Sequence, residues 1–217
     1  MKRRSGKSVL AACWHWLIRL GDQRTLLILL GVAVVLTATA HIFEREWALW
    51  LAQRAPISWV RAASTRTMQR LDATVLTPST LSADRQSVIN MKFAALRMPQ
   101  GELPLYELVF RHGGTLGGRS FTLSGGQIVV TDEWVERFTN DRALLGALAT
   151  QLGHLRNHDA LRSSVDKAPV KILIALFRGD AEAGTRIMSD GQPVLQHDAH
   201  CEAEAQRFSL SVMQANP

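Results

Sequence analysis

The sequence predicts an α+β fold: a mostly helical domain with a small β-sheet, preceded by one transmembrane helix. Three observations carry this expectation. Residues 25–43 run for 19 positions without a formal charge. Apolar residues before position 99 and after position 132 recur at three- and four-residue steps, the period of an amphipathic helix. Between Tyr106 and Thr131 the helical period gives way to short strand-like runs and glycine pairs punctuate the chain, the pattern of short strands joined by turns.

The chain of 217 residues has room for one ordinary domain and appendages. Its 47% hydrophobic content supplies both a core and a membrane segment. The formal charge is +6, and its location is informative. Residues 1–24 hold Lys2, Arg3, Arg4, Lys7, Arg19 and Arg24 against Asp22 alone, so this stretch carries +5 and the rest only +1. The sequence pI of about 10.0 therefore reflects a basic tail. A nearly neutral domain argues against nucleic-acid binding, which needs a basic face. Cys13 and Cys201 flank the apolar run at a distance, which argues against a disulfide framework.

At ~1.5 Å per residue, residues 25–43 can cross a hydrocarbon layer of roughly 30 Å. The basic excess before them puts the N-terminus in the cytoplasm and the domain on the periplasmic or outer side. Ala38-Thr39-Ala40 also fits a signal-peptide cleavage site, against which stands a long lead-in containing Trp14 and Trp16. A buried core helix is the third reading. Residues 8–20 form a short Trp-rich helix that either lies on the cytoplasmic membrane surface or simply leads into the span.

From Glu44 to Val75 the apolar positions Trp47, Leu51, Trp59, Val60, Met68 and Leu71 have helical spacing, broken at Pro56. Thr77-Pro78-Ser79 reads as a turn. A helix starts near Ser82 and carries Val88, Ile89, Phe93 and Leu96. Residues 44–104 are thus a helical linker region. Strands follow at Tyr106–Arg111, Ser120–Leu123 and Gln127–Thr131, the last two forming a hairpin around Ser124-Gly125-Gly126. That glycine pair is not a phosphate loop, which needs Gly-Lys-Ser/Thr before a helix. Thr131 or Asp132 is placed to cap a helix with apolar Trp134, Val135 and Phe138. Asn140-Asp141 is placed to cap the next, from Arg142 to about His158. Val170–Phe177 is apolar but too short to span a membrane. It is expected to be a core helix packed on the His154 helix, the alternative being a membrane-dipping loop.

The chemically informative helix is Ala147-Leu148-Ala149-Thr150-Gln151-Leu152-Gly153-His154-Leu155-Arg156-Asn157-His158. In outline it is an H-E-x-x-H zinc-protease helix. That motif sets two imidazoles one turn apart toward one Zn²⁺ and a Glu beside the metal-bound water. Here Thr150 stands at the first His position and Gln151 at the Glu position; His154 alone remains.

Four pieces in order resemble one family. They are Gly125-Gly126-Gln127-Ile128-Val129-Val130-Thr131-Asp132, then Leu152-Gly153-His154 with Asn157-His158, then Gly179-Asp180. Last comes Glu202-Ala203-Glu204-Ala205-Gln206-Arg207-Phe208, which is similar to an E-x-E-A-D segment. Together they resemble the HtpX/BepA-like membrane-associated zinc metallopeptidases (metallopeptidase family 48), from about Pro56 to Pro217. The resemblance implies a zincin-like peptidase domain over residues 105–217, truncated at its C-terminal end. It implies zinc as cofactor, Thr150, His154 and Glu202 at the ligand positions, Gln151 at the general-base position and Gln206 at a supporting acidic position.

The residues at those positions do not suit the reaction. A threonine hydroxyl is a poor zinc ligand. A glutamine amide has no titrating group near neutral pH and cannot act as a general base. His154 and Glu202 are left as a weak, residual metal pair. A relocated site would use His154, His158 and Glu202, with His197 and His200 nearby and Cys201 as a thiolate. The bland reading has His154 and His158 as hydrogen-bonded packing residues and Cys201 as an ordinary buried cysteine.

The expectation is a membrane-anchored metallopeptidase-like protein without catalysis, a pseudopeptidase that binds unfolded or envelope proteins. By resemblance its Gln127–Thr131 hairpin would pair with extended segments, which needs no metal. Two alternatives are an active zinc metalloendopeptidase of membrane-protein quality control with an atypical site, and a remnant without selected activity.

Overall fold

Gln127-Ile128-Val129-Val130-Thr131 is the strand around which the second of two units is built. Ile128 and Val130 enter one buried cluster and Val129 another. A strand covered on both faces needs a continuous apolar run rather than an alternating one. The structure, a computed structural model, describes residues 28–35, 50, 54–99, 104–190 and 198–217.

The chain divides into Met1–Glu46 and Trp47–Pro217. In the first unit residues 28–35 are helical, and Ile28, Leu29, Leu30, Val32, Val34 and Val35 are exposed. The remainder of the expected span 25–43, and all of residues 1–24, lie outside the described residues. Among the described residues no helix is long and apolar enough to cross a membrane, so the expected transmembrane helix is left without support here.

The second unit runs α1 (Ile57–Thr74), β1 (Thr77–Pro78), α2 (Ala83–Ala94), β2 (Glu107–His112), a 3-10 turn at Gly114–Leu116, β3 (Ser120–Thr122), β4 (Gln127–Thr131), α3 (Asp132–Val135), α4 (Asp141–Arg156), α5 (Asp159–Asp166), α6 (Pro169–Arg178), α7 (Ala181–Ser189) and α8 (Ala199–Ala215). It is mostly helical with a small mixed sheet, an α+β arrangement. The sheet order is β1-β2-β4-β3. β2 and β4 are parallel, with Val109 opposite Val129. β3 and β4 form the expected antiparallel hairpin, with Phe121 opposite Val129. At its turn the Gly126 amide donates to Leu123 O at 3.1 Å. Gly126 has φ 103°, and a Cβ there would lie 2.6 Å from Leu105 O, so only glycine fits.

Residues 77–78, read from sequence as part of a turn, are instead an edge strand, with Thr77 opposite His112 and Pro78 opposite Arg111. An edge tolerates the missing amide proton of proline. The cap of α3 also differs. The Thr131 hydroxyl makes no cap bond; it donates to Gly117 O at 3.1 Å and accepts the Arg119 amide at 2.8 Å. Asp132, 1% exposed, is held by the Ser79 hydroxyl (2.6 Å), the Thr80 amide (2.6 Å) and the Thr80 hydroxyl (2.8 Å). Ser82 and Asn140 do cap α2 and α4, accepting from the amides of Arg85 and Ala143 at 3.2 and 2.7 Å.

Among the described residues the core is in three clusters. Leu144, Leu148, Leu152 and Leu155 of α4 meet Phe208 and Val212 of α8, Ile89 and Phe93 of α2 and one face of β4. Met68 of α1 packs with Leu76, Phe121, Leu123 and Val129 on the other face. Trp59, Val60 and Ala63 of α1 gather Leu161 and Val165 of α5, Ile172 and Ala175 of α6 and Met188 of α7. So α6 packs with α1, α5 and α7 and not, as expected, on α4. Only its Ile172 and Ala175 are buried.

Candidate functional site

Three segments build the site: the second half of α4, the α4–α5 turn, and the first turn of α8. Gly153 fixes how close α4 and α8 come. A Cβ on it would lie 2.9 Å from Ala205 Cα and 3.0 Å from Ala205 O. The bare backbone lets the helices touch, and Glu202, one turn before Ala205, reaches His154.

His154 is 1% exposed and held from both sides. Its Nδ1 lies 2.8 Å from Asp159 Oδ2, and its Nε2 lies 3.2 Å from Glu202 Oε2. Arg162 Nη1 stands 3.7 Å from Asp159 Oδ1. On the outer side the Gln206 amide donates to Glu202 Oε1 at 2.9 Å. A polar line thus runs Arg162–Asp159–His154–Glu202–Gln206, from the interior to the surface. Each of the two ring nitrogens thus faces a carboxylate, one on either side of the imidazole.

The neighbouring positions are spent otherwise. The Thr150 hydroxyl turns back along its own helix and donates to Gly146 O at 3.2 Å. Gln151 Oε1 is buried with no hydrogen-bond partner among the described residues. Cys201 is buried, and desolvation first, then the Asp159 and Asp198 carboxylates, push its thiol up to about 11. At neutral pH it is a thiol, not a thiolate ligand.

His158 does not extend α4. The helix ends at Arg156, and His158 takes the left-handed conformation (φ 57°) that begins α5. It is exposed. The expected helix to about His158 is thus too long at its C-terminal end, because a residue in that conformation ends the i to i−4 ladder. The reversal takes His158 off the His154 face and brings Asp159 back under the imidazole. His200 lies 3.6 Å from Glu204 on the outer face of α8. His197 lies outside the described residues.

Asp159 is the site residue that sequence reasoning missed. Its signal was weak: an acid in the first turn of a helix, directly after an Asn-His pair that tolerates left-handed backbone.

The donors do not fit a catalytic zinc, which takes three protein ligands and an open position. His154 Nε2 and the Glu202 carboxylate face one another and make two. Thr150 is committed to the backbone and Cys201 is protonated. Among the described residues no group of three or more His, Cys, Asp or Glu side chains is arranged to hold a metal.

Comparison of the chain with protein-family models finds none that matches, and comparison with curated proteins finds no match either.

Proposed function

We propose that the chain is a membrane-anchored, zincin-like metallopeptidase relative without hydrolytic chemistry, and that it works by binding extended segments of unfolded or envelope proteins. One observation supports this most. At the position where hydrolysis needs a carboxylate base stands Gln151, whose amide oxygen is idle, beside a His154 whose two nitrogens are both taken up by carboxylates. At the base position the helix offers an amide, which cannot take a proton from water near neutral pH.

Strand pairing needs only backbone groups. On this reading the hairpin would supply them through β3. β4 is paired on both sides, whereas β3 is at the edge of the sheet. In the observed register Phe121 pairs through hydrogen bonds with Val129, so the amides and carbonyls of Ser120 and Thr122 point away from β4. Thr122 is buried, so the accessible part of the edge is at Ser120.

The test is a pair of assays on the full chain in detergent, with an unfolded reporter polypeptide. The account expects binding and no cleavage, with or without a chelator. Chelator-sensitive cleavage would establish the active-enzyme alternative, and neither binding nor cleavage would favour the remnant.

A further inference from the structure

Helix α6 carries a second surface that the His154 site does not use. Val170, Leu173, Ile174 and Phe177 fall at i, i+3, i+4 and i+7, one face of the helix. All four are exposed, Phe177 at 88% and Val170 at 65%. The opposite face, with Ile172 and Ala175, is buried against the α1–α5–α7 cluster. The helix is therefore apolar on two faces, one packed in the core and one open to solvent.

Charge is distributed about this stripe unevenly. Lys171 and Arg178 border one side of it, and Lys167 stands just before the helix, all exposed. The helix itself carries no acidic residue. The acids nearest in sequence, Asp166 before it and Asp180 and Glu182 after it, lie off its ends, and Asp180 is occupied in accepting the Ala183 amide at 2.9 Å.

We propose that the α6 face is an interfacial membrane-docking surface that seats in an anionic lipid leaflet, with Val170, Leu173, Ile174 and Phe177 at the acyl boundary and Lys167, Lys171 and Arg178 among the headgroups. An apolar stripe edged by lysine and arginine is the pattern of a helix lying in the bilayer plane, where long basic stems reach the headgroups. A second copy fits less well. Ten residues make a helix of about 15 Å, and four side chains fall far short of the roughly 800 Å² per partner of a stable interface. A two-fold contact would also bring the same cations together. The bilayer is near at hand if the 25–43 run is an anchor: residues 44–56 can reach at most about 45 Å. The inference does not rest on the pseudopeptidase reading, and its test does not involve His154.

The experiment places an environment-sensitive fluorophore on Phe177→Cys in the full chain carrying Cys13→Ser and Cys201→Ser, reconstituted in lipid nanodiscs. Glu136→Cys, at an exposed position of the domain, is the control, and circular dichroism checks the fold of each variant. In phosphatidylglycerol-containing bilayers the label at 177 is expected to shift to the blue, to be quenched by nitroxide lipids and to resist aqueous iodide severalfold better than the label at 136. Lys171→Glu with Arg178→Glu should abolish the difference, as should pure phosphatidylcholine. Equal iodide access at 177 and 136 in anionic bilayers overturns the proposal. So does protection that is the same in both lipids. Protection in lipid-free detergent that grows with protein concentration, with energy transfer between labelled copies, assigns the face to a second copy instead.

Discussion

Asp159 supplies the acceptor that orients His154, and both side chains are almost fully removed from water. A buried imidazole nitrogen stripped of its partner loses a hydrogen bond without regaining water. Asp159→Ala is therefore expected to lower stability by about 2 kcal/mol, measured by urea unfolding of the full chain in detergent. A change within experimental error would mean that the carboxylate does not anchor the ring. Cys201 gives a pH-dependent prediction. Its folded pKa of about 11 lies above the usual value, near 8.5 for an unfolded thiol. The group's contribution to stability is thus fully present below about pH 8.5 and is lost as pH rises toward 11. On a Cys13→Ser background, alkylation by iodoacetamide at pH 8.5 should be on the order of 100-fold slower in the folded than in the unfolded chain, because the thiolate reacts. Comparable rates would place the sulfur in an open, polar environment. Thr150, Gln151 and Glu202 were singled out only through the resemblance, which supplies positions for motif residues. Sequence could not identify Asp159, because the left-handed turn at His158 is a local choice that periodicity does not encode.

Elements were legible where one pattern dominated. The Leu144–Leu148–Leu152–Leu155 stripe defined α4, and Ser82 and Asn140 marked helix starts because their side chains accept amide protons at the first turn. The two-residue β1 was not legible, since Thr77-Pro78 has no period and Pro suggests a turn. Nor could the partner of α6 be read: an apolar run fixes that a helix is amphipathic or buried, not which helix it packs on. The α4–α8 contact rests on Gly153, and a larger side chain there must displace the Ala205 backbone. Gly153→Val is expected to cost about 2 kcal/mol, from overpacking at a helix crossing, and to separate Glu202 from His154. Thermal unfolding by circular dichroism measures the first effect. A fully stable variant would show that the helices can part cheaply. The start of α4 is tied down differently: hydrogen bonds from Lys92 and then Arg85 hold the Asp141 carboxyl below its ordinary range.

At the scale of the whole chain, the sequence sets a basic, apolar N-terminal part apart from a nearly neutral remainder, and the chain divides into Met1–Glu46 and Trp47–Pro217. The α+β class was legible because helical and strand-like segments occupy distinct stretches. The two faces of β4 explain why no alternation was visible there. On the proposed reading, fold and chemistry part at α4: the α4–α8 contact at Gly153 and the His154–Glu202 pair would be the remains of a peptidase frame, with Thr150 and Gln151 standing where a ligand and a base would be needed. Zinc stoichiometry by mass spectrometry, on the full-length protein and on Thr150→His with Gln151→Glu, tests this separation most directly. The account predicts no stoichiometric zinc in the natural sequence and about one per chain in the double variant, where the introduced imidazole would join His154 and Glu202 to complete three ligands. One tightly bound zinc in the natural sequence, or none in the double variant, would contradict it.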